Sequence, residues 1–177
     1  MIQAIVKKGR VLGEHISAPV VSKGSLLIKV VNSCISAGTE MSSVSGSGKS
    51  LIKRAMEQPQ NVKKVLNMVK SDGIAKTYAT VKGKLDSGNP TGYSISGVVI
   101  AVGDGVTGFE VGDRVAAAGA GLANHAEYVD VPQNLVMKTP KGMSFEDAST
   151  VTLGGIAMQG VRRSDLKLGE MCVVVGA

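Results

Sequence analysis

The side chains that most often hold metals or move protons are scarce in this chain. Two histidines, His15 and His125, and two cysteines, Cys34 and Cys172, stand among 177 residues. A catalytic zinc needs three protein ligands and an open fourth position, and these four residues form no cluster along the chain. Neither histidine therefore supports a metal site. His125, at the start of a strand-like stretch, is expected to be structural with a local hydrogen bond, and His15 an exposed or hairpin residue. Both cysteines lie in apolar, strand-like stretches, where a small buried reduced thiol is the expected state. The remaining chemical signal is terminal: Met171-Cys172-Val173-Val174-Val175 runs into Gly176-Ala177. Such a run suits a strand buried on both faces of a parallel sheet, and a glycine after it lets backbone N–H groups approach a pyrophosphate. In isolation the same run is ordinary in any buried strand.

Charge is unevenly placed. Residues 41–90 hold nine Lys and Arg against Glu57, Asp72 and Asp86, which accounts for the whole formal net charge of +6. The segment has one Tyr and no Phe or Trp to stack on bases, which argues against nucleic acid. No apolar run reaches the roughly 20 residues of a membrane span, and the start lacks the apolar core of a signal peptide. A cytoplasmic protein is expected.

Positioning any chemistry falls to a β-rich framework. With 44% hydrophobic residues, only 3% aromatic ones and 23 Gly, the core must rest on aliphatic side chains between frequent turns. Gln3–Lys8, Val11–Ile16 and Leu26–Ser36 read as a strand meander. After residue 90, Ile95–Gly103, Gly108–Gly119, His125–Pro132 and Leu135–Pro140 read as further short strands at turn-marked intervals, as in a barrel or sandwich. Between the two groups the apolar spacing changes to the helical period. One helix is expected through Lys49–Gln58. A second starts at Pro59 with the stripe Val62, Val65, Leu66 and Val69, and stops at Ser71-Asp72-Gly73. A third carries Ile74, Tyr78, Val81 and Leu85 on one face. Ser144, with Asp147 three residues on, caps a long helix over 144–163.

In this order the pieces resemble the medium-chain dehydrogenase/reductase family, alcohol dehydrogenase-like, in which a GroES-like β-barrel precedes a Rossmann cofactor domain. The resemblance is carried by Gly92-Tyr93-Ser94-Ile95-Ser96-Gly97-Val98-Val99 with Val102-Gly103, by Val111-Gly112-Asp113-Arg114-Val115, by Ala126-Glu127-Tyr128-Val129 with Val131-Pro132, and by Leu168-Gly169-Glu170 with Cys172 to Ala177. It implies a mainly β fold with inserted helices (α+β). Residues 1–140 would form the GroES-like substrate domain with a helical insert at about 48–86, and 141–177 the linking helix and first strand of a truncated cofactor-binding domain. Gly176 would approach the cofactor. The chain end at residue 177 would leave this piece inactive alone.

Where zinc-dependent members of that family have Gly-His-Glu, this chain has Gly92-Tyr93-Ser94, and the family's cysteine ligand falls on Ser36 or Ala37. The resemblance therefore implies a zinc-independent oxidoreductase using NAD or NADP on a small alcohol or carbonyl. By register with the family, Ser36, Thr39, Glu40, Tyr93 and Ser94 would lie where substrate meets the nicotinamide ribose. Tyr93 would be either a proton donor or a half-buried barrel residue with a local partner. The insert, with Ser36-Ala37-Gly38-Thr39-Glu40, also resembles that of bacterial two-part oxidoreductases. That subgroup implies a sugar-derived or anionic substrate attracted by Lys63, Lys64 and Lys70, against the plainer reading of those lysines as a solvated helix face. Exposed strand edges make a homodimer plausible. The competing reading is a stand-alone GroES-like binding or assembly module without redox chemistry.

Overall fold

The computed structural model of the chain describes residues 1–48, 56 and 59–175. Strands β1 (Ile2–Lys7) and β2 (Arg10–His15) form a hairpin whose two-residue loop, Lys8-Gly9, has φ of 49° and 78°. Two consecutive positive φ values match the right-handed twist of the paired strands. Strand β3 (Ser25–Ser33) follows, then helix α1 (Ala37–Gly48). Helices α2 (Pro59–Asp72) and α3 (Ile74–Ser87) flank Gly73 at φ 81°. Strands β4 (Asn89–Pro90), β5 (Ser94–Val102), β6 (Arg114–Ala118), β7 (Tyr128–Pro132) and β8 (Val136–Lys138) precede helices α4 (Phe145–Ala148) and α5 (Val151–Ser164).

The strands make two antiparallel sheets, β2-β1-β4 and β7-β3-β5-β6-β8. Alternation along β3, β5, β6 and β7 sends Leu26, Ile28, Ile95, Val99, Val115, Val129 and Val131 into one core. All seven are at most 4% exposed, and each contributes about 1.5–3 kcal/mol by leaving water. Register shifts at Leu27/Ile28 and Val30/Asn32 bend β3 against β5 and curl the larger sheet. The segment entering β7 closes the gap between sheets. Ala4 N–H donates to the His125 carbonyl at 2.8 Å, Glu127 N–H to that of Ile2 at 3.1 Å, and Gln3 bridges to Ala126. The observed architecture is the expected mixture: curled β-sheets with a few helices.

Four details differ from the sequence expectations. Residues 37–48, to which the sequence reading assigned no element, are helical. Their Gly- and Ser-rich sequence has weak intrinsic propensity, and the helix is supported instead by packing on β1 and β2. The expected helix over 144–163 is two. Ser149 and Thr150 hydroxyls bond back to the carbonyls of Glu146 and Asp147 at 2.7 Å each, and the Ser149 carbonyl is taken by the Ser94 hydroxyl at 2.6 Å. The helical ladder is interrupted there. Residues 171–175 form no strand and are exposed, Cys172 among them, because no other strand among the described residues runs beside them to supply ladder partners. The α2 stripe is helical as expected, yet Val62, Val65 and Leu66 remain exposed. The helix expected over Lys49–Gln58 lies, except for Met56, outside the described residues.

Candidate functional site

The β3–α1 turn and the approach to β5 run side by side. Ser33 pairs with Ile95, and Cys34 N–H donates to the Ser94 carbonyl at 3.0 Å. This adjacency brings Ser36, Thr39 and Glu40 next to residues 91–94, more than 50 positions away in sequence. At the head of α1, Ser36 Oγ donates to Thr39 Oγ1 at 3.3 Å, with Thr39 exposed and Ser36 half-buried. Glu40, in the first helical turn, favours the positive end of the helix dipole. Its carboxylate accepts from Ser36 N–H at 3.1 Å, from the Thr91 hydroxyl at 3.3 Å and from His125 Nε2 at 3.1 Å to each oxygen.

Tyr93 is half-buried at the entrance to β5. Its carbonyl accepts from Gly119 N–H at 2.9 Å and from the Thr152 hydroxyl at 3.1 Å, which ties the tyrosine backbone to β6 and α5. Ser94 is fully buried. Its hydroxyl donates to the Ser149 carbonyl and accepts from Thr152 N–H at 3.2 Å, so its hydrogen bonds serve the α4–α5 junction. Ser96, also fully buried, donates to the Phe145 carbonyl in the same way. Gly176 lies outside the described residues.

Ser36, Thr39, Glu40 and Tyr93 thus share one end of the sheet, while Ser94 lies behind them in the core. The sequence reading missed the part of Thr91, and it placed His125 as a structural residue without finding its partner. No local signal could have joined residues 40, 91 and 125; only the strand pairing does. The nearest hint was Gly92. At φ +96° a Cβ there would come within 2.6 Å of His125 N and 2.8 Å of its Cγ, so the histidine ring rests where only glycine leaves room.

Among the described residues no three His, Cys, Asp or Glu side chains gather as metal ligands, and no helix is long and apolar enough to cross a membrane. The two cysteines are unpaired. Elsewhere, a surface cleft of about 700 Å³ lies between Gly112–Arg114 and Lys138–Ser144. Its charges are largely engaged: Lys138 Nζ is 2.9 Å from Asp113, and Arg114 donates to the Met143 carbonyl at 2.8 Å while its guanidinium stacks on Phe145. The neighbouring Lys138 ammonium holds the Asp113 carboxyl below its ordinary value, helped by Glu110 N–H.

Residues 62–141 match the alcohol dehydrogenase GroES-like domain. The (R,R)-butanediol dehydrogenase of Bacillus subtilis is 32% identical over 109 residues, an alignment covering 48% of this chain and 31% of that enzyme. The fold is that of the quinone oxidoreductase from Coxiella burnetii, with a TM-score of 0.65 at 21% identity over 96% of this chain and 46% of that one. It is also that of Escherichia coli quinone oxidoreductase complexed with NADPH, with a TM-score of 0.62 at 15% identity over 94% of this chain and 42% of that one. The chain spans about a third of the curated relative and less than half of each solved chain. In its strand order, its glycine-lined turn at residue 92 and the matched segment, the chain is similar to the alcohol dehydrogenase GroES-like domain.

Proposed function

We propose that this chain is the substrate-side part of a zinc-independent, nicotinamide-dependent oxidoreductase acting on a small alcohol, carbonyl or quinone. The observation that carries the proposal is the gathering of Ser36, Thr39, Glu40 and Tyr93 at one end of the larger sheet, beside the junction to α5. Similarity to a butanediol dehydrogenase and to a fold that binds NADPH supports it.

The reduced cofactor, NADH or NADPH, would supply the hydride. The uncharged hydroxyls of Ser36 and Thr39 suit the polar nicotinamide end. The glycine approach to a pyrophosphate belongs to Gly176, in the 141–177 portion that we assign to the start of a cofactor domain. The exposed Ile156, Met158 and Val161 of α5 fit a helix that packs against such a domain. Tyr93 is assigned as the proton donor to the oxyanion that hydride addition leaves on a carbonyl. Ser94 acts behind it, holding the β5 entrance to the helices. Because the candidate ligand positions hold Tyr93 and Ser36, proton transfer rather than a metal would stabilise the oxyanion. The reading also takes the protein as cytoplasmic, its unpaired thiols being usual in a reducing compartment.

The test is turnover in the protein encoded with whatever follows Ala177 in frame, assayed with NADH and NADPH against aldehydes, ketones and quinones. Chelator-insensitive turnover is expected, and Tyr93→Phe should lower kcat by about 100-fold, the range for one general acid. Absence of turnover with both cofactors across that panel overturns the proposal and leaves the binding-module reading.

A further inference from the structure

A carboxylate that merely caps a helix needs one contact with it, and Glu40 has that contact in Ser36 N–H. Its other two partners come from outside the helix: Thr91, 51 residues away, and His125, 85 residues away. The Glu40 and His125 side chains are only 14% and 12% exposed, so the pair is largely withdrawn from water. An ionised carboxylate only accepts, which places the imidazole hydrogen on Nε2. The backbone of His125 is itself fixed on both sides. His125 N–H donates to the Thr91 carbonyl at 2.8 Å, Ala4 N–H donates to the His125 carbonyl at 2.8 Å, and Gly92 leaves the space the ring fills. One carboxylate therefore joins the head of α1 to both loops that border the entrance to β5.

The head of α1 carries the Ser36–Thr39 hydroxyl pair, and the loop at 91–92 leads directly into Tyr93. We propose that His125 is a positioning residue: through Glu40 it holds Ser36 and Thr39 in register with Tyr93. Its kinetic consequence rests on the oxidoreductase reading above; its structural consequence stands on the hydrogen bonds alone. A Gly- and Ser-rich helix of low intrinsic stability needs such an anchor, because sites work only when their supporting contacts fix them.

Two readouts test the proposal separately. Loss of a hydrogen bond to a charged group in His125→Ala should speed amide exchange at Ser36 and Glu40 by at least about 10-fold, while Val99 and Val115 in the core keep their protection. His125→Gln, which returns a side-chain N–H donor, should restore exchange at those two amides to within about 3-fold of wild type. Thr91→Val, a milder change that keeps the imidazole, should give an intermediate acceleration. Unchanged exchange at Ser36 and Glu40 in folded His125→Ala, or in Thr91→Val should the alanine variant not fold, overturns the clamp. In the active enzyme, kcat should fall about 10-fold in His125→Ala with KM changed far less, and His125→Gln should recover it. Equal losses of Tm in both variants with unchanged kcat would reduce His125 to a structural residue. If wild type shows no turnover, the oxidoreductase reading fails, and the exchange result alone decides the clamp.

Discussion

Single residues of this domain are constrained by backbone geometry as much as by chemistry. Gly92 combines a φ of +96° with a ring packed where a Cβ would sit. Gly92→Ala is expected to lose about 1–3 kcal/mol from backbone strain alone and, by pushing the imidazole away, to loosen its contact with Glu40. Denaturant melts and exchange at Ser36 would read the two effects separately. Asp113 offers a pH-dependent counterpart. Its folded pKa lies below the ordinary 3.8 because Lys138 and Glu110 N–H favour the charged form, so the group stabilises the fold above the unfolded value. That contribution is lost as pH falls through the lower folded value. Asp113→Asn should therefore melt below wild type at neutral pH, and the gap in Tm should close as pH is taken below 3.8.

At the level of elements, β5 is the organising strand. Its backbone pairs with β3 on one side and β6 on the other, and Gly97 lies so close to β3 that a Cβ would meet the Lys29 carbonyl oxygen. Its buried serines fasten α4 and α5 to the sheet. Removing the Ser94 hydroxyl strands the buried Ser149 carbonyl and the partly buried Thr152 N–H. Ser94→Ala should thus cost about 1–3 kcal/mol in a denaturant melt. Proteolysis within 145–164 should become faster as those helices loosen, and unchanged cleavage would show that the junction is held elsewhere. The alternation of β3, β5 and β7, the helix start at Pro59 and the Ser144 cap were all legible in sequence, because each is a local preference of a few residues. Helix α1 was not: its propensity is poor, and β1 and β2 provide the surface that makes it a helix.

Taken whole, the molecule exposes a series of apolar side chains at its C-terminal side. Ile156, Met158 and Val161 on α5 are all more than half exposed, as are Leu168, Met171 and Val173–Val175 beyond it. Exposed apolar surface promotes association. The 177-residue chain should sediment as concentration-dependent oligomers, and Ile156→Lys with Val161→Lys should shift it toward monomer. A wild-type chain that stays monomeric at high concentration would show that this surface is inert.

Composition and periodicity determined the β-rich class, the change of period after the third strand, the helices at Pro59 and Ile74, and the residue types available for chemistry. These follow from short-range rules: alternation, capping, and the special φ of glycine in turns. Tertiary structure alone decided that Glu40, Thr91 and His125 meet, that the Ser94 hydroxyl bonds to the helix junction, and that the run at 171–175 stays exposed. A contact over 85 residues depends on which strands pair, and a strand needs a neighbour before its apolar side chains can be buried.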